Sequence, residues 1–412
     1  MSPEPDPEPN PEPNPEPNPQ MAPALDPQRI FERDPAMATK ILHTADWHLG
    51  LRFPGFGEHD RRLTQQRLET VRNILGVAER FGVDAVLVAG DVFDLPDPTE
   101  AWWRPLAQLL RDQPWTDRPL VLLPGNHDPL IATSVWRKLA FREALPPWVH
   151  IVDRDDFTLP LGEHAVLHGV PCRRTAGQAN MAAHLPSREP GDDRVRIALL
   201  HGQTFGFPGL ATNFPIALDT ATSRGFDYVA LGDTHGRRVH GPPQCPMLYP
   251  GAPEPTRFGE LDAGSVTVAL FGRRNRAPVL RAEPVGHFRW HERTVTTLPE
   301  LRALRSEDHR TSVMRLHVDM RLPVEEHAQA EALLRELVGG EAQGGKIAIA
   351  ELDRSKLALD ATGVLLALDD LPEQVRETAR RLQAMIAAGE RADVAERALV
   401  RLYQLARETG VT

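Results

Sequence analysis

Five short apolar runs, each followed at once by side chains able to hold a metal ion, constrain this 412-residue chain more than any other feature. They are residues 40–45 leading to Asp46, 85–89 leading to Gly90 and Asp91, 120–123 ahead of Asn126 and His127, 196–200 leading to His201, and 228–231 ahead of Asp233. Each run has strand length and is rich in Leu or β-branched residues. Between the first two, Leu68, Val71, Leu75 and Ala78 recur at helical spacing, and residues 102–110 read as a second helix. Strands alternating with helices predict an α/β fold. Ligands in such sheets gather beyond the carboxyl ends of the strands, where all five polar clusters fall.

Composition narrows the rest. Residues 1–20 repeat Pro-Glu-Pro-Asn and are nearly devoid of apolar side chains, so residues 1–38 are expected to form a disordered tail. That segment holds Glu4, Asp6, Glu8, Glu12 and Glu16 and no base in its first 20 residues, half of the net charge of −10. Only Lys40, Lys138, Lys346 and Lys356 are lysines among 47 basic residues; the rest are arginine, which suits bidentate phosphate contacts. A codon bias toward G and C explains the same abundance, so charge neither establishes nor excludes a nucleic-acid partner. Cys172 and Cys245 cannot build a disulfide framework or a structural zinc site. No uninterrupted apolar run reaches the length of a membrane span, and the first residues lack the basic and apolar regions of a secretory signal. A cytoplasmic protein with no membrane partner is the expectation.

After Gly251 the pattern changes. Residues 265–271 and 288–295 read as strands that could complete a second sheet. An alternating run over 313–320, a helix around Val324, Ala328, Leu334 and Leu337, and a strand over 346–352 form a small β-α-β unit. Val375, Ala379, Leu382 and Ile386 lie on one helical stripe and Ala395, Ala398, Leu402 and Leu405 on another, with Gly389 at the break. The expected domains are a tail (1–38), a catalytic domain (39–296), a cap (297–365) and a C-terminal helical hairpin (366–412).

The clusters themselves suit divalent metals. Asp46 and His48 stand on alternate positions, as do Asp233 and His235; Asp91 is followed three residues later by Asp94; and Asn126 precedes His127. One Asp-x-His occurs often by chance, but an amide oxygen is an uncommon ligand and adds specificity. His43 lies within the first strand and reads as a packed residue, and His59, His150, His164, His240 and His317 have no companion motif. Burial is the expected role of Trp47. Arg52, Arg61, Arg62, Arg237 and Arg238 follow the metal motifs and suit either phosphate contacts or a solvated surface.

In this order, each at a strand end, the five clusters resemble the signature of the calcineurin-like metallophosphoesterases. Residues 42–50 and 249–254 resemble the opening motif and a later loop of the SbcD-type DNA repair exonucleases, over roughly residues 40–290. The resemblance implies a sandwich of two sheets flanked by helices, bearing a small β-α-β cap and C-terminal helices. It implies one metal on Asp46, His48, the shared Asp91 and His235, and a second on Asp91, Asn126, His201 and Asp233. The family usually has His where Asp233 stands, so the second site gains an anionic oxygen and loses an imidazole. That exchange favours Mn2+ or Mg2+ over zinc, although Fe2+ and Zn2+ remain compatible with the ligand types. A turn-stabilising carboxylate directed away from the metals is the alternative for Asp233. His127 is implied as catalytic, with Asp94 orienting it and raising its pKa; a loop hydrogen bond is the alternative for Asp94.

The function implied is a Mn-dependent DNA exonuclease, with endonuclease action on single strands or hairpins, in DNA repair or recombination. Implied partners are DNA, an SMC-like coiled-coil ATPase docking on the C-terminal helices, and a second copy of the chain. Two rivals are carried: a small-molecule phosphodiesterase or phosphoprotein phosphatase, because the motifs define the metal chemistry and not the leaving group, and a non-catalytic DNA-binding scaffold in which Asp233 has weakened the second site.

Overall fold

Apolar side chains at consecutive positions suit parallel strands that are covered on both faces. In the computed structural model, which describes residues 39–408 except 178–179, 205–211, 273–275, 340–344 and 360–371, the first three runs are such strands. They are β1 (Thr39–Thr44), β2 (Ala85–Val88) and β3 (Leu120–Leu122), joined in parallel by β4 (Val149–Ile151). Helices α1 (Asp60–Phe81) and α2 (Glu100–Arg111) make the crossovers, and α3 (Leu139–Ala144) precedes β4. The chain then builds a second sheet from β5 (Phe157–Leu161), β6 (Ala165–Gly169), β7 (Val195–His201), β8 (Tyr228–Gly232), β9 (Arg238–His240) and β10 (Met247–Tyr249), with α4 (Thr220–Arg224) leading into β8. Its spatial order is β5-β6-β7-β8-β10-β9. β11 (Ser265–Phe271) and β12 (Val279–Pro284) return to the first sheet, where β11 pairs antiparallel with β1.

The two sheets share one apolar layer. Ile41, Leu87 and Val121 from the first sheet meet Leu167, Ile197, Leu199 and Ala230 from the second in a single buried cluster. Alternate residues face the other way, and Ala198, Leu200, Val229 and Leu231 are buried under Met181, Phe214 and Phe226. This is the expected sandwich of two sheets flanked by helices. Because β1, β2 and β3 run parallel in the first sheet, and β7 and β8 in the second, each sheet presents its strands' carboxyl ends together.

A third sheet follows. It comprises β13 (Arg289–Val295), β14 (Ser312–Leu322) and β15 (Ile349–Leu359), all parallel, with α5 (Leu298–Ser306) and α6 (Val324–Val338) as crossovers. One expectation is corrected here: residues 288–295 do not complete a second sheet of the sandwich. β13 pairs with β14, so a boundary after residue 296 cuts this unit between its first strand and first helix. The unit is β-α-β-α-β, and β13 escaped that assignment because its side chains are mostly exposed and its apolar pattern names no partner. Helices α7 (Glu373–Ala388) and α8 (Ala392–Glu408) pack on one another, separated by Gly389 in the left-handed conformation. The tail over 1–38 and the boundary at residue 365 lie outside the described residues. No described helix is long and apolar enough to cross a membrane.

Two outcomes test this packing. Leu87 is fully buried in the layer between the sheets, so Leu87→Ala is expected to cost about 2–5 kcal/mol in urea unfolding; a loss below the scatter of surface substitutions would contradict a shared core. His168, buried in β6 near Arg196 and Arg194, has its imidazole pushed down to about 4, first by burial and then by those charges. Its folded-state pKa lies below the unfolded value, so its contribution is complete above about pH 6.5 and is lost as pH falls toward 4. His168→Gln should therefore flatten the fall in stability between pH 7 and pH 5, measured by urea midpoints.

Candidate metal centre

Each functional side chain stands where a strand ends and the backbone leaves the sheet. Asp46, His48, Asp91 and Asp233 all have positive φ, at 56°, 45°, 51° and 99°. Non-glycine residues rarely adopt this region, and each costs about 1–3 kcal/mol unless its surroundings enforce it. The enforcement is visible in the backbone: Asp46 N–H donates to the Gly90 carbonyl at 3.0 Å, and His48 N–H to the Asp91 carbonyl at 2.9 Å. Glycines leave the room. A Cβ on Gly90 would lie 2.1 Å from His201 Nδ1, and one on Gly125 would lie 2.1 Å from Asp91 Oδ1.

The structure brings all nine sequence-predicted residues into one linked neighbourhood. Asp91 Oδ2 lies 3.6 Å from His48 Nε2 and 3.4 Å from His201 Nε2, between the two imidazoles. His48 Nε2 and His235 Nε2 are 3.2 Å apart. His201 Nε2 lies 2.8 Å from the Asn126 amide oxygen and 3.9 Å from Asp233 Oδ1. Asp233 therefore directs its carboxylate toward His201, while its own N–H donates to Asp46 Oδ1 at 3.1 Å. Asp46, His48 and His235 form one group with ligand atoms within 4.8 Å of one another; Asp46, Asp91 and His201 form another. His48, Asp94 and His127 form a third.

The donor set fits divalent cations. His201 Nδ1–H donates to the Ala89 carbonyl at 2.8 Å and His235 Nδ1–H to Glu260 Oε1 at 2.6 Å, so both rings offer Nε2 inward. Two imidazole nitrogens 3.2 Å apart, ringed by carboxylates, need a shared proton or a cation between them. Burial lifts the Asp46 carboxyl to about 6 and lowers the His48 imidazole to about 4. Burial also opposes ionisation of Asp91, but the His201 and His48 imidazoles outweigh it and hold that carboxyl well below its usual range.

His127 occupies the open side of the cluster, its side chain 47% exposed. Its N–H donates to Asp91 Oδ1 at 2.9 Å and its ring stands edge-on to His48. The Asp94 carboxylate beside it raises the His127 imidazole to about 9. Asp94 is shared: its Oδ1 is 3.5 Å from His127 Nδ1 and 3.3 Å from His48 Nδ1. The resemblance links it to His127 alone.

Other residues with a hold on the site escape a reading of the sequence. Asp128 is fully buried and accepts from Gly125 N at 2.7 Å and Phe93 N at 2.9 Å, stapling two ligand loops together. Arg67, buried on α1, donates to the carbonyls of Trp47 at 2.7 Å, Pro255 at 3.2 Å and Asp46 at 3.4 Å. A charged residue on the apolar stripe of α1 was the available signal. Glu260 and Thr256, which hold His235, lie more than 20 residues beyond it and carry no local mark. His43 is indeed packed, its Nδ1 2.9 Å from the Tyr228 hydroxyl, and Trp47 is buried with its indole N–H on Thr44 Oγ1.

Residues 39–237 match the calcineurin-like phosphoesterase family, and the chain carries a calcineurin-like metallophosphoesterase domain there. An uncharacterised metallophosphoesterase of Bacillus subtilis, YhaO, is 27% identical over 219 residues, which is 51% of this chain and 52% of that protein. A subunit of the nuclease SbcCD from Rhodobacter capsulatus is 40% identical over 150 residues, covering 34% of this chain and 32% of its own. The DNA double-strand break repair protein Mre11 of Sulfurisphaera tokodaii is 25% identical over 203 residues, 49% of this chain and 50% of its own. The chain thus spans about half the length of YhaO and of Mre11, and about a third of the SbcCD polypeptide.

Gly125→Ala tests the close packing behind the cluster. The added methyl must displace the Asp91 carboxylate and the backbone nitrogen of Asp91, 2.3 Å away, so divalent metal affinity in calorimetry should fall on the order of tenfold or more while unfolding stays cooperative. Unchanged affinity would mean that Asp91 does not hold metal from this position.

Proposed function

We propose that the chain is a two-metal phosphodiesterase acting on DNA, a Mn-dependent exonuclease of repair or recombination with endonuclease action on single strands or hairpins. The observation that carries the reading is the Asp91 carboxylate, flanked by His48 on one side and His201 on the other. A carboxylate so flanked suits the shared ligand of a metal pair. Asp46, His48, Asp91 and His235 would hold one ion, and Asp91, Asn126, His201 and Asp233 the other. Asp233 supplies a hard oxygen in the second site, which favours Mn2+ or Mg2+.

Two dications held there would supply Lewis-acid stabilisation of a phosphoryl group and acidify a water molecule near neutral pH. The chain's own residues do the rest. Asp94 keeps His127 protonated, and the exposed ring can donate to a phosphate oxygen or to the leaving sugar oxygen. Beside Asp233 and His235 lies a cavity of about 530 Å³ whose wall carries Arg237, Arg238 and Arg257 together with Glu260 and Asp262, so phosphate contacts there would fall to the arginines. The DNA substrate draws on the relatives named as a nuclease subunit and a break-repair protein. The name of the former as a subunit also motivates the proposed partners, an SMC-like ATPase on α7 and α8 and a second copy of the chain.

The test is degradation of end-labelled duplex and single-stranded DNA by the full chain with Mn2+. Activity should vanish with chelator, and His127→Ala should lower the rate roughly 10²- to 10⁴-fold without loss of bound metal. Hydrolysis of cyclic nucleotides or phosphopeptides with DNA left intact would replace the nuclease reading. Fewer than two tightly held ions would favour the scaffold.

A further inference from the structure

One turn connects a candidate ligand to the cap. Glu260, its side chain 5% exposed, accepts from His235 Nδ1–H at 2.6 Å, and the same carboxylate accepts from Thr256 N at 2.7 Å and Thr256 Oγ1 at 2.5 Å. Residues 256–260 therefore close on themselves around the back of His235. From the catalytic side, Arg67 grips the Pro255 carbonyl while it holds the Asp46 and Trp47 carbonyls. From the cap side, the Phe258 ring packs against Trp290 of β13 at 4.9 Å between centroids, and the Arg315 guanidinium of β14 stacks 4.2 Å over it. Phe53 and Phe56 complete this aromatic cluster between the cap and the loop that follows His48.

We propose that Glu260 is a positioning residue that fixes the ring and tautomer of His235, and that the cap, through Trp290 and Arg315 on Phe258, sets how firmly Glu260 does so. The inference rests on the metal-binding reading of Asp46, His48 and His235. Physically, a carboxylate on the far nitrogen of a ligating imidazole directs Nε2 inward and raises its basicity, and losing such a partner costs roughly 10- to 100-fold in metal affinity. The grip on Phe258 adds the cap to the supports of that partner, beside Thr256 on the Glu260 carboxylate and Arg67 on the Pro255 carbonyl.

The experiment uses the full chain, stripped of metal and titrated with Mn2+ in a calorimeter, together with imidazole nitrogen NMR of the metal-free protein. Glu260→Gln should weaken one of the two Mn2+ sites about tenfold and Glu260→Ala up to about 100-fold, with the His235 imidazole nitrogen resonances shifted in both, because Thr256 Oγ1 at 3.0 Å is the neutral acceptor left in Glu260→Ala. Trp290→Ala should weaken the same site in the same direction, and Trp290→Ala combined with Glu260→Ala should lose no more than Glu260→Ala alone. Arg310→Ala, an exposed change on the cap, should leave both sites unchanged. Should Glu260→Ala not unfold cooperatively, the isosteric Gln variant decides. Native affinity and native His235 resonances in Glu260→Gln, or additive losses in the double variant, would overturn the proposal. Failure of the unmodified chain to bind Mn2+ would instead overturn the metal reading beneath it.

Discussion

The hydrogen bond from His201 Nδ1–H to the Ala89 carbonyl, 2.8 Å long, crosses from the end of one sheet to the end of the other. It forms only because the two sheets pack through a common apolar layer and end at the same edge of the sandwich. Gly90 and Gly232 leave space for it: a Cβ on either residue would approach His201 Nδ1 to within 2.8 Å or less. Fixing that nitrogen turns Nε2 toward Asp91, Asn126 and Asp233. The rest of the centre is arranged around this ring and the Asp91 carboxylate beside it.

The cost of the centre is spread over its supports. Four residues at positive φ, a buried Asp46 carboxyl whose pKa burial raises, and an imidazole pair 3.2 Å apart are individually unfavourable. They persist because Asp128 staples the Asp91 and Asn126 loops, Arg67 ties three carbonyls from two loops, and Glu260 backs His235. Local strain of this kind is what a site built to close around cations carries when its supports are rigid. Trp290 and Arg315 of the three-stranded sheet pack on Phe258, inside the turn that carries Glu260.

Much of the fold was legible in the residues. The five runs were readable because a strand buried on both faces needs consecutive apolar side chains, and the polar residues that end them could not extend such a strand. α1 and α2 were readable from helical spacing, and the break at Gly389 from the residue best suited to a left-handed helix end. The strand β13 was assigned to the wrong sheet because strand pairing is a relation between segments, and its exposed side chains record no partner. Asp233 illustrates the same limit at the site. Its type and place after β8 were plain, but only the fold sets its carboxylate 3.9 Å from His201 Nε2.

The sequence by itself determined the chemistry on offer: which carboxylates, imidazoles and amide stand at strand ends, and that glycine precedes three of them. Periodicity and residue type are local properties, so they survive without coordinates. Tertiary structure alone decided which groups meet and in what role. Asp94 serves two rings, Arg67 and Asp128 became fasteners, and Glu260 reached His235 from 25 residues away. Those roles depend on distances between segments remote in the chain, and packing of the sheets and cap sets such distances.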